Sequence, residues 1–339
     1  MSQAYERERQ AALDAVRVAA GVCRRVQATI SVDVLEKKDR SPVTVADYAS
    51  QAVICRALAE QFPEDPIIGE EDAAELSRAE NIPFLTRVRE ELQQADLDAG
   101  EDEIRRWINL GGATNFSDRF WTLDPIDGTK GFLRGEQYAI SLALIVNGRI
   151  ELGVLGCPNL PANDTDGSSL GCLFWAVRGA GSHVARLDDS LRETPIRVSN
   201  AQDPEKTRFC ESVESAHSSH GLSAKVADRL QITREPKRID SQAKYAVVAR
   251  GEAEIYMRLP AKAGYKEKIW DHAGGVLIVE EAGGTVTDVT GKPLEFTHGC
   301  TLEANAGIIA TNQEWHERVV TTVLQERPAP PSTDSHTHS

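Results

Sequence analysis

Residues 121–129 read WTLDPIDGT, and this stretch organises the rest of the chain. Trp121, Thr122 and Leu123 carry Asp124 to the end of an apolar segment with strand character. Pro125 fixes its own φ and is expected to turn the chain. Ile126 then exposes its carbonyl, Asp127 returns a second carboxylate to the same side, and the N–H groups of Gly128 and Thr129 can face an anion as at a helix start. One short loop thus offers two carboxylates, a carbonyl, amide donors and a hydroxyl. A Pro/Asp/Gly turn alone is ordinary turn chemistry; its meaning depends on what else the chain supplies.

Three further segments supply acids. IIGEED (67–72) places Glu70 as the first acid after an apolar pair, with Glu71 and Asp72 read as solvated neighbours. IWDHAGG (269–275) puts Asp271 in the expected first turn of a helix that Gly283 and Gly284 stop. An N-cap aspartate would explain that residue equally well. In SPVTVAD (41–47), Thr44 caps a helix and Asp47 falls in its first turn, which is a sufficient structural role. A functional role for Asp47 requires it to face Thr129. Oxygen-only ligands drawn from several segments suit a hard divalent cation such as Mg2+.

Outward from these segments, the spacing predicts an amphipathic helix over 5–27 and a hairpin around the polar KKDRSP stretch. A second helix follows from Val45 to Gln61, with Ala49, Val53, Ile54, Leu58 and Phe62 on one side and Pro63 ending it. Residues 73–110 are charge-rich and helical. FWTLD, YAISLALIV and RIELGVLGC read as strands, and LFWAVRG with GSHVARL as a further hairpin. Beyond Asn200 strand and helix segments alternate, which argues for an α/β layer. The division expected is 1–200, 201–326 and a Pro/Ser/His-rich disordered tail at 327–339.

The chain of 339 residues carries a net charge of −14, which disfavours a nucleic-acid polymer as partner. An anionic small substrate is compatible with that charge only where metal ions and a few cations reverse the field locally. The six cysteines are scattered without a CxxC pair, so neither a zinc site nor a disulfide framework is expected. No apolar run is long enough to span a bilayer, and the charged N-terminus lacks a secretory h-region. The expectation is a cytoplasmic monomer with no membrane partner, organellar if a transit peptide has been removed.

The ordered set GEE…DPIDGT…WDHAGG resembles the inositol-monophosphatase-like superfamily of Mg2+-dependent, lithium-sensitive phosphatases, from SPVTVAD to the GIIAT strand. The long forms WTLDPIDGTKGFLRGEQYAISLALI, ESVESAHSSH, DSQAKYAVVARGEAEIYMRLP and EKIWDHAGG resemble its 3'(2'),5'-bisphosphate nucleotidase branch. The resemblance implies a layered αβαβα fold of the α/β (α+β) class. It implies two or three Mg2+ ions held by Glu70, Asp124, the Ile126 carbonyl, Asp127 and Asp271, with Asp47 and Thr129 activating the attacking water. It further implies a nucleotide held by Gly128, Thr129, His217, Ser241, Lys244 and Arg258. The reaction implied is hydrolysis of the 3'(2')-phosphate of adenosine 3'(2'),5'-bisphosphate, or of its 5'-phosphosulfate form, by a metal-activated water.

From the residues alone, Lys244 and Arg258 read equally as solvated charges beside apolar strand residues, and His217 as a surface residue. An inositol phosphate phosphatase is the alternative enzyme; HSSH and DSQAKY favour the nucleotide. A non-catalytic nucleotide sensor would not need the Asp47–Thr129 pair, and the acidic spacing does not fit a calcium loop.

Overall fold

The computed structural model describes residues 4–29, 34–36, 42–161, 169–213, 220–260 and 264–326. The tail assigned to 327–339 lies outside them. In chain order the elements are α1 (Glu6–Ala28), β1 (Val34–Glu36), β2 (Pro42–Thr44), α2 (Val45–Gln61), β3 (Ile67–Gly69), α3 (Ile82–Gln93), α4 (Glu101–Asn109), β4 (Arg119–Asp127) and α5 (Thr129–Leu133). There follow β5 (Ala139–Val146), β6 (Arg149–Pro161), β7 (Leu170–Val177), β8 (Gly181–Arg186), β9 (Asp189–Ile196), β10 (Phe209–Glu211) and α6 (His220–Arg229). The chain closes with β11 (Lys237–Arg238), α7 (Ala243–Ala249), β12 (Ile255–Arg258), α8 (Ala273–Glu281), β13 (Gly284–Thr287), β14 (Ile308–Asn312) and α9 (Gln313–Glu326).

Strands β3 to β9 form a seven-stranded sheet in sequence order, antiparallel except for the parallel pair β3–β4. A five-stranded mixed sheet has the order β11-β10-β12-β14-β13. The period-2 alternation of the strands explains how these sheets stack. Trp121, Leu123, Leu142 and Leu144 face a core made with α1 to α4. Their neighbours Phe120, Ala143 and Ile145 face the opposite way, into a core shared with α7, α8 and the near face of the second sheet. The far face of that sheet, through Ile255, Met257 and Ile309, packs on α6 and α9. The order helix, sheet, helix, sheet, helix is the expected αβαβα layering.

Several elements depart from the sequence reading. Helix α2 is buried nearly all round, polar Ser50 and Gln51 included, because it lies between α1, α3, α4 and β4 instead of on a surface. Strand β4 does not turn at Pro125; it continues to Asp127, with a bulge between Asp124 and Asp127. A bulge tolerates proline because the inserted residue makes no ladder bond. Strand β9 is an addition to the strands expected from the sequence. Residues 243–249, which lie in the alternating stretch beyond Asn200, form α7. Among the described residues, no helix is long and apolar enough to cross a membrane.

Candidate active site

Register delivers the first two acids. In the parallel pair, Gly69 lies opposite Leu123, so the next residues, Glu70 and Asp124, emerge side by side at the carboxyl ends of β3 and β4. The Glu70 N–H donates to the Leu123 carbonyl at 3.1 Å, and the Glu70 carboxylate bears on Asp124. Gln51 clamps the turn from α2: its Oε1 accepts from the Glu71 N–H at 3.1 Å, and its Nε2 donates to the Glu71 carbonyl at 2.5 Å and the Ile108 carbonyl at 2.9 Å. A Cβ on Gly69 would meet Gln51 Oε1 at 2.8 Å, so a side chain there would push the Gln51 amide off its partners. Glu71, expected in solvent, is buried by this packing.

The bulge sets the next two groups. The Ile126 N–H donates to Asp124 Oδ1 at 3.1 Å, and Ser50 Oγ donates to the Pro125 carbonyl at 3.0 Å. The extra residue brings Asp127 back to the side of Asp124. Gly128 has φ +89°, and a Cβ there would stand 3.0 Å from the Cβ of Ser241. The Thr129 hydroxyl donates to the Ile126 carbonyl at 3.3 Å. Asp47, buried at the start of α2, accepts from the Thr44 N–H at 2.8 Å and the Thr44 hydroxyl at 2.6 Å, closing a capping box.

Asp271 comes from the far side of the seven-stranded sheet. It lies in the turn before α8, not in the first turn of that helix, because α8 begins only at Ala273. Gln242 ties this turn to the others. Its N–H donates to Asp127 Oδ2 at 2.5 Å, its Nε2 to the Trp270 carbonyl at 2.8 Å, and its Oε1 accepts from Ser141 Oγ and the Gly275 N–H, each at 3.2 Å. Neither Gln51 nor Gln242 was singled out from the sequence. A glutamine has no periodicity or motif signature that marks it as a clamp.

The result is an acidic cluster built around buried Asp124, with Glu70, Asp127 and Asp271 half-buried beside it. Burial pushes the Asp124 carboxyl well above its ordinary value, and the charges of Glu70, Asp127 and Asp271 add to the rise. Asp127 is likewise raised by burial, opposed by Lys244 and Arg258. Burial pushes Asp271 up to about 7 against the pull of Arg258. An all-oxygen donor set that resists ionisation on its own is what a hard divalent cation stabilises. These residues fit Mg2+.

The cations depart from the sequence reading. Lys244 is not solvated: it is 4% exposed, inside α7, and its Nζ donates to the carbonyls of Ser241 at 2.8 Å and Ile239 at 3.4 Å. Burial lowers its pKa. Ser241, at φ +68°, holds a left-handed conformation unusual for a side chain, and this buried ammonium anchors it. Arg258 is not a solvated charge either, and it joins one of the metal motifs. Its Nη2 donates to Asp271 Oδ2 at 3.3 Å, and its Nε lies 2.7 Å from Glu267 Oε2. Glu267, Asp271 and His272 also bring ligand-capable atoms within 4.8 Å of one another. Arg258 neutralises that group and Tyr245 takes the His272 Nδ1, so it is an ion-pair network and not a second cation site. His217 lies outside the described residues.

The profile of the inositol monophosphatase family matches residues 2–327. The chain is 43% identical over 337 residues to the 3'(2'),5'-bisphosphate nucleotidase of Schizosaccharomyces pombe, covering 93% of the chain and 94% of that protein. It is 44% identical over 331 residues to 3'(2'),5'-bisphosphate nucleotidase 1 of Arabidopsis thaliana, covering 92% and 94%. The IMPase of Thermotoga maritima superposes with a TM-score of 0.63 at 23% identity, covering 93% of this chain and 95% of that one, a likeness of fold.

Proposed function

The chain belongs to the inositol monophosphatase family, and from that premise we propose that it hydrolyses the 3'(2')-phosphate of adenosine 3'(2'),5'-bisphosphate to AMP and phosphate. The observation that carries the reading is the convergence of buried Asp124 with half-buried Glu70, Asp127 and Asp271, beside the close approach of Gly128 to Ser241. The identity with nucleotidases over nearly the whole chain selects the substrate class.

In this proposal two or three Mg2+ ions are held by Glu70, Asp124, the Ile126 carbonyl, Asp127 and Asp271. When bound they supply charge neutralisation of the phosphate ester and activation of the attacking water. The chain's own residues do the rest. Asp124, on which Glu70, Asp127 and Asp271 all bear, would be the ligand common to more than one ion. The Thr129 hydroxyl accepts a proton from the attacking water and passes it toward Asp47. That hydroxyl donates to the Ile126 carbonyl at 3.3 Å, so the role requires it to rotate. The N–H groups of Gly128 and Thr129 donate to the phosphate that is cleaved.

Arg258 holds the phosphate that is not cleaved, with Ser241, Lys244 and His217 along the nucleotide. Lys244 serves partly by fixing the Ser241 carbonyl, and through it the Gln242 N–H on Asp127. A phosphate-release panel with Mg2+ tests the proposal across adenosine 3',5'-bisphosphate, inositol 1-phosphate, inositol 1,4-bisphosphate and fructose 1,6-bisphosphate. Preference for the nucleotide, with inhibition by Li+ and not by K+, is expected. Preference for either inositol phosphate overturns the substrate assignment.

A further inference from the structure

Arg258 serves two carboxylates with one charge. Its Nε lies 2.7 Å from Glu267 Oε2, and its Nη2 only 3.3 Å from Asp271 Oδ2. The shorter contact is the better supported. Glu267 is 4% exposed, and its carbonyl accepts from the Leu302 N–H at 2.9 Å. Its Oε2 also lies 3.2 Å from His272 Nε2, and the Tyr245 hydroxyl lies 2.8 Å from His272 Nδ1. With Tyr245 donating to Nδ1, the ring proton sits on Nε2 and donates to Glu267, so every member of the chain is satisfied. His272 and Tyr245 are themselves fully buried, which fixes the whole arrangement.

We propose that Glu267 is a positioning residue whose buried carboxylate holds Arg258 by its Nε and so keeps the guanidinium from closing fully on Asp271, leaving Asp271 available to a divalent cation. The proposal rests on the reading of Asp271 as a metal ligand. Without the Glu267 charge, Asp271 would be the nearest anion left to Arg258. A planar guanidinium closes on a carboxylate through two parallel hydrogen bonds. A cation would then have to displace that pair before Asp271 could bind it.

The experiment is calorimetric titration of the full chain with Mg2+ alone. Glu267→Gln keeps the shape and hydrogen-bonding capacity while removing the charge; it is expected to weaken Mg2+ binding about 10- to 100-fold, the range for residues that orient metal ligands. Arg258→Met removes the competitor, so Glu267→Gln added to it should weaken Mg2+ binding no further. Unchanged affinity in Glu267→Gln overturns the proposal. An equal loss with and without Arg258 overturns it too, because Glu267 would then act on the site without the guanidinium. Should Glu267→Gln fail to melt cooperatively, Tyr245→Phe replaces it: removing the His272 partner should weaken Mg2+ binding in the same direction, and no change overturns the proposal. Asp271→Asn separates the two readings. If it binds Mg2+ as the wild type does, the ligand assignment fails and takes the proposal with it. If it is impaired while Glu267→Gln is not, only the role of Glu267 falls.

Discussion

Replacing Asp124 by asparagine removes one charge from the acidic cluster and changes almost nothing else. The asparagine Oδ1 can still accept from the Ile126 N–H, so the bulge is kept. The size of the effect follows from the strain on the cluster. Two like charges about 4 Å apart repel by roughly 1–4 kcal/mol between bulk water and a protein surface. Asp124 is 1% exposed and bears on Glu70, Asp127 and Asp271 together. Screening and relaxation reduce that figure, and we expect Asp124→Asn to stabilise the metal-free protein by about 1–2 kcal/mol at neutral pH, or roughly 1–3 °C in Tm. With Mg2+ the order should reverse. Saturation at 100-fold over Kd stabilises the wild type by about 2.7 kcal/mol, a gain that the variant loses. The assay is a pair of thermal melts, in EDTA and in excess Mg2+, with phosphate release measured alongside. Melting curves that cross between the two conditions, with activity down more than about 100-fold, are expected. A variant that is destabilised in EDTA yet still stabilised by Mg2+ would refute the reasoning, since Asp124 would then be a structural acid.

Because burial raises Asp124, Asp127 and Asp271, the metal-free fold holds protons that the unfolded chain releases. Its stability should therefore be greatest below about pH 4 as far as these groups decide it, and should be lost as pH rises through about 7; urea midpoints in EDTA that do not fall between about pH 5.5 and about pH 8 would contradict this. Gly128→Ala forces a side chain into a left-handed backbone and against Ser241, so it should cost about 1–2 kcal/mol in urea denaturation and lower kcat. Gln51→Ala strips the Glu71 and Ile108 backbone groups of buried partners and should cost about 2–3 kcal/mol, with Mg2+ affinity falling because the Glu70 turn loosens. Lys244→Met should release Ser241 from its strained conformation, lowering turnover on nucleotides with one phosphate as well as two; a loss confined to the doubly phosphorylated substrate would instead make Lys244 a phosphate grip alone.

What the sequence determined by itself was local or carried by motif. Helical spacing set α1, and a capping Thr44 with Asp47 three residues on, then Pro63, bounded α2 at both ends. The apolar alternation of 120–157 set three strands of one sheet, and the acids at strand ends marked Glu70, Asp124 and Asp127. The roles of Ser241, Lys244 and Arg258 came only from the family likeness, since a lone cation near apolar residues carries no chemical signature. Tertiary structure decided what depends on distant partners. Pro125 reads as a turn until β5 pairs on both sides of it and makes a bulge. Ser50 and Gln51 look like the polar side of α2 until the β4 bulge meets Ser50, and α4 with the Glu70 turn meets Gln51. Arg258 looks separate from the metal motifs until it meets Asp271, and the Gln242 N–H reaches Asp127 across 115 positions of chain. Such contacts are single hydrogen bonds between groups far apart in sequence, aimed by packing. Periodicity and turn chemistry describe only what neighbours along the chain impose on each other, so these contacts leave no trace until the layers stack.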